Sequence, residues 1–169
     1  FAGRLGNDPV ERARGTNLLD FVYYTSAMFQ GSRANPASPS FGLLGWHTTA
    51  KYHQGLDGFG VYYGDDNARA LLGTMAAGAL LRCDRWDEPL LRCLLANLRT
   101  TGRKGFRGNC LNEKPLQEHG WRHYRDGEIE NFAPHFECYL WACYLWAFAR
   151  TGYAPFRDGA LAGIRAMMG

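Results

Sequence analysis

Apolar side chains recur at helical spacing through five stretches of the chain, and two long stretches between them lack that period. Asp8, Pro9 and Glu11 form a helix start: an acceptor at the cap, proline at the first helical position and a glutamate placed for a capping box. Val10, Ala13, Leu18, Val22 and Phe29 then carry a first helix over 9–30, with Gly31 to end it. The second helix spans 66–82 and is rich in Ala and Gly, which predicts close packing on most sides. The third begins at Asp87, Glu88 and Pro89. Its Leu90, Leu91, Leu94, Leu95 and Leu98 form one apolar face before Gly102 closes it. In the fourth, 136–150, the string CYLWA occurs twice in tandem. A five-residue step turns a helix by about 140°, so Leu and Trp fall on both sides and an inner, enclosed helix is expected. A fifth helix runs over 155–168.

The connectors alternate: long (31–64), short (83–87), long (103–134), short (151–154). Helices joined by short turns run antiparallel. Both long connectors therefore fall at one end of the bundle, together with the starts of the second and fourth helices. Long irregular stretches inside a domain are most often functional. The reading is an all-α protein of antiparallel helical hairpins with long functional loops at one end. The chain, 1–169, is read as a single domain that begins at Phe1 as a piece of a longer chain.

Composition narrows this little. Apolar residues are 46% and charged residues 21%, as in globular proteins. The charge is +3, with 19 basic and 16 acidic residues interspersed, so no nucleic-acid stripe is expected. The one local run is Arg99, Arg103, Lys104 and Arg107, read as a solvated loop. No apolar run is long enough to span a membrane. Cys83, Cys93, Cys110, Cys138 and Cys143 show no metal or disulfide spacing and read as small buried thiols, a weak lean to a reducing compartment. Localisation stays open.

The chemistry gathers at the long-connector end. Asp65 and Asp66 stand at the start of the second helix, with Arg69 placed to pair with either. Only one carboxylate is needed for a cap, so Asp65 is assigned the cap and Asp66 is left facing a cleft. Glu137, in Pro134, His135, Phe136, Glu137, would face Asp66 from the fourth helix. Glu128 and Glu130 compete for its role. Aromatic and polar residues of the long loops, Trp46, His47, Tyr62, Tyr63, Trp121 and His123, suit sugar binding, joined by Arg69 and His135. His47, His53, His119, His123 and His135 lie in the same loops without tight ligand spacing, so neither metal nor cofactor is predicted.

The hairpin rhythm and two strings, YYGDDNARALLG (62–73) and APHFECYLWACYLWAFARTG (133–152), resemble the six-hairpin glycosidases. That resemblance covers 9–169. It implies part of an (α/α)6 toroid whose sugar cleft lies at the long-loop end, although five helices cannot close a ring of twelve. It further implies a carbohydrate-active enzyme acting on an oligo- or polysaccharide. The expected activity is a glycoside hydrolase with Asp66 as general base and Glu137 as acid. Inversion would need the carboxyls about 6.5–9.5 Å apart and retention about 5–5.5 Å. A polysaccharide lyase or sugar epimerase working through Tyr and His is one alternative; a non-catalytic helical-repeat binding module is the other.

Overall fold

The computed structural model describes residues 7–46, 60–127 and 134–169, and these are predominantly helical. Seven α-helices and one two-stranded sheet are present among them: α1 (Pro9–Asp20), β1 (Val61–Tyr63), α2 (Gly64–Leu81), α3 (Asp87–Thr100), β2 (Cys110–Asn112), α4 (Glu113–His119), α5 (Arg122–Asp126), α6 (Pro134–Thr151) and α7 (Ala154–Met168).

Asp8 caps α1 as its position predicts, accepting from the N–H groups of Val10 (2.9 Å) and Glu11 (3.3 Å). Glu11 pairs with Arg14 at 2.8 Å. The helix is shorter than the expected 9–30. It widens to a π turn over Phe21–Thr25 and stops at Ser26. The Ser26 hydroxyl donates to the Val22 C=O at 2.9 Å, a local bond that competes with helix continuation. Gly31, at φ +70°, opens a 3-10 turn in place of ending the helix.

Helices α2 and α3 form one antiparallel hairpin, α6 and α7 another. Helices α2 and α6 pack side by side with their N-termini at the same end: Gly64 faces Leu140, and the Cys143 thiol donates to the Ala68 C=O at 3.5 Å. Leu98 of α3 meets Gly159 of α7. The principal core runs between these layers, through Leu71, Met75, Leu94, Trp141, Tyr144 and Phe156. Trp86 is buried there, as its place in a short connector suggests. Cys93 and Cys143 are buried, whereas Cys138 is exposed.

Further sequence expectations need correction. Helix α2 is not closely packed on most sides, because Arg69, Gly73, Ala76 and Leu80 lie on an exposed face. Leu91 and Leu95 are exposed, so the inward face of α3 is the narrower stripe of Leu90, Leu94 and Leu98. Helix α6 is not enclosed all round, because Tyr139 and Leu145 lie on an exposed side. The second connector is not structureless, since β2, α4 and α5 occupy it.

Strand β1 pairs antiparallel with β2, in the register Val61↔Asn112, Tyr62↔Leu111 and Tyr63↔Cys110. The two long connectors thus meet at one end, as their alternation with short turns predicts. A second small core, Leu43, Tyr62, Ala96, Leu111, Leu116 and Tyr124, seals the junction.

Candidate functional site

The β1–β2 pairing sets the geometry of this end. Because side chains alternate across a strand, Tyr62 turns inward and Tyr63 outward. Tyr62 is fully buried, its hydroxyl donates to Glu113, and the Arg33 guanidinium lies 5.1 Å from its ring centroid. Burial pushes its phenol well above the ordinary tyrosine range. Tyr62 is therefore placed in the junction core, away from solvent. Tyr63 meets Trp46 edge to face at 5.7 Å, and Trp46 is 56% exposed.

Helix α2 starts directly after the strand, with Tyr63 at the cap position and no side-chain cap bond. The N–H of Gly64, an orphan donor in an isolated helix, goes to the Asn109 C=O at 2.8 Å across the strand pair. Neither aspartate is needed as a cap, and the cap assigned to Asp65 is corrected accordingly. Both occupy the first turn. Arg69 reaches Asp65 at 3.3 Å and Asp66 at 4.0 Å, and its guanidinium lies 5.7 Å from the Tyr139 ring centroid. Asp66 keeps about a third of its side chain exposed, against 13% for Asp65. Burial first, and the neighbouring Asp65 charge second, raise the Asp66 carboxyl above its ordinary value against the pull of Arg69. Burial, Cys110 and the two aspartates push the Tyr63 phenol the same way.

Glu137 is 1% exposed. It lies on the first turn of α6 close to Arg107, a fully buried guanidinium that burial drives down and that Glu137 is the first to offset. Arg107 donates to the C=O groups of Tyr62 (2.9 Å) and Gly108 (3.2 Å). A Cβ at Gly64 would stand 2.8 Å from it, so glycine there leaves the room this side chain fills. Asn67 is the other hidden anchor. Its Oδ1 accepts from the Leu44 N–H (3.0 Å) and Asn97 (3.1 Å), and its Nδ2 donates to the C=O of Leu44 (2.7 Å) and Tyr63 (2.8 Å). Neither role shows in the sequence. Asn67 stands inside the very string that carried the site, and Arg107 looked like part of a solvated basic run.

Trp46, Tyr63, Asp65, Asp66 and Arg69 thus come together, and Tyr139 joins them. Trp121 and His123 gather in a second group on α5, where His123 lies 5.1 Å from both the His119 and Tyr124 rings. His47, His53, Glu128 and Glu130 lie outside the described residues, as does the side chain of His135. Among the described residues no three His, Cys, Asp or Glu side chains are grouped to hold a metal ion. At the opposite, short-turn end a groove of about 610 Å³ opens between α2, α3 and α6, over Met75, Leu90, Leu94 and Trp146. None of the proposed sugar-site residues lines it.

Comparison with protein-family models, with curated proteins and with solved structures gives no match to this chain.

Proposed function

We propose that the chain is part of a carbohydrate-active enzyme, a glycoside hydrolase, with its substrate cleft at the long-connector end. We further propose that its parallel α2 and α6, each paired with an antiparallel partner, are a segment of an (α/α)6 toroid. The observation that carries the reading is the grouping of Trp46 and Tyr63 with Asp65, Asp66 and Arg69 at the start of α2. Flat rings suit the apolar faces of sugars, and the charged groups suit their hydroxyls. Asp66 is the acid–base group. It is open to solvent and its carboxyl is raised, the direction a proton donor requires. Asp65, drawn to Arg69, is the second carboxylate. Glu137 takes a different part from the one its sequence position suggests. Buried beside Arg107, it balances that charge and so holds the strand that carries Tyr63.

A lyase or epimerase using Tyr63 as a base would need its phenol lowered, and it is raised. The test is turnover of a glycan panel by wild type and Asp66→Asn, with products read by mass spectrometry. Water added across a cleaved bond, and a loss of about 100-fold or more in the variant, is the expected result. A product lighter by one water points to a lyase. Glycan retention without turnover points to a binding module. Unchanged turnover in the variant removes Asp66 from the site.

A further inference from the structure

The second connector builds a positive patch that the carboxylate site does not use. The basic run that looks continuous in sequence divides in the fold. Arg99 and Arg107 turn inward: Arg99 donates to the C=O groups of Pro39 and Phe41, and Arg107 to that of Tyr62. Arg103 and Lys104 remain exposed in the turn after α3. Helix α5 brings more charge to that turn, because a Cβ at Gly102 would lie 3.5 Å from the Arg125 C=O. The guanidinium carbons of Arg122 and Arg125 stand 5.4 and 4.9 Å from the Trp121 ring centroid. Arg125 grips Asp126 with two bonds, at 2.7 and 3.0 Å. That pairing first, and the charges of Arg103 and Arg122 after it, hold the Asp126 carboxyl below its ordinary range. Among the described residues, Asp126 matches Arg125, and Arg103 and Arg122 add two further positive charges beside that pair.

We propose that this face binds the carboxylates of an acidic glycan, so that the polymer handled at the long-connector end is rich in uronic acid. The proposal rests on the carbohydrate reading above. A guanidinium fork matches a carboxylate in two bonds, and stacking on an indole holds the fork flat before the ligand arrives. A nucleic acid fits this face less well. Its bases need a stacking ring, and Trp121 is already taken up by arginines; its phosphates need a longer stripe without an aspartate in the middle.

The test is a fluorescence-anisotropy titration of the intact protein with labelled oligogalacturonate, its methyl ester, and single-stranded RNA of equal length, each at two salt concentrations. Oligogalacturonate should bind, weaken with salt and outcompete both other probes. The double variant Arg103→Gln, Arg122→Gln should bind it about tenfold more weakly, with an unchanged melting transition. Arg122→Lys should retain the salt-dependent attraction. Equal binding of the ester, no binding of oligogalacturonate at low salt, or tighter binding of RNA each overturns the proposal. The Asp66→Asn variant separates the two readings. Turnover intact in that variant, with acid binding lost only in the arginine variant, removes the carboxylate site and leaves the patch. Neutral and acidic glycans turned over alike by wild type and arginine variant removes the patch alone.

Discussion

The two ends of the bundle hold their backbone by opposite means. At the short-turn end, Asp20 accepts from the Arg85 guanidinium at 2.7 Å and the Trp86 indole N–H at 3.0 Å, while the Tyr24 hydroxyl donates to the Arg85 C=O. A partly exposed carboxylate suffices, because a five-residue turn leaves few peptide groups without partners. At the other end, the described parts of the two long connectors bring backbone that lies outside the main helices into the interior. Buried carbonyls there need donors, and Arg99, Arg107 and Asn67 provide them. These side chains carry several donors each, which is why charge is found so deep. The proposed site thus stands on the end whose backbone depends on side chains for its shape.

The largest expected effect follows from that dependence. Replacing Arg107 by Met removes three kinds of support at once: the Tyr62 C=O bond, the Gly108 C=O bond and the charge beside Glu137. Leaving a buried partner charge unmatched costs about 3–5 kcal/mol, and urea unfolding should read a loss of that order. Adding Glu137→Gln should recover part of it, since the carboxylate charge that faced the guanidinium is then gone. At the short-turn end, Asp20→Ala should cost only about 1–2 kcal/mol, the worth of partly exposed bonds to Arg85 and Trp86. Equal losses in the two variants would erase the contrast between the ends.

How much of this was legible beforehand follows the same division. Helix α3 is legible because one face repeats an apolar period, and α6 because its apolar run is long and unbroken. So is the meeting of the two long connectors, because short turns force antiparallel neighbours. Strand β1 is not, since three residues are too few for an alternation to stand out and their partner lies far along the chain. The end of α1 is not legible, because Val22 and Phe29 keep the helical rhythm while the backbone leaves the helix at Ser26 between them. At the site, Asp66, Arg69, Tyr63 and Trp46 were placed together by their types and positions. The burial of Tyr62 was not, because one residue of register decides which face a strand side chain takes. Glu137 shows the deeper difficulty. A carboxylate in a first helical turn reads the same whether it meets a substrate or a buried arginine thirty residues away.

The smallest predicted effect sharpens the comparison most, because its sign differs from that of Asp20. The Asp66 carboxyl is raised in the folded protein, by burial and then by Asp65, from an unfolded value of about 3.9. Between the two values the folded state holds more protons than the unfolded one, so stability falls as pH rises through that window. The destabilising contribution is complete above the folded value and absent below the unfolded one. Asparagine does not ionise, so Asp66→Asn should melt slightly higher than wild type at pH 7, and the gain should disappear as the pH is lowered past the ordinary aspartate range. A carboxylate in the first turn also benefits from the helix N-terminus. Desolvation and the Asp65 charge act against that benefit. Melting curves of the pair at pH 7 and pH 3 decide the matter. A variant that melts lower at pH 7 would make Asp66 a structural charge like Asp20 and would count against the acid role proposed for it.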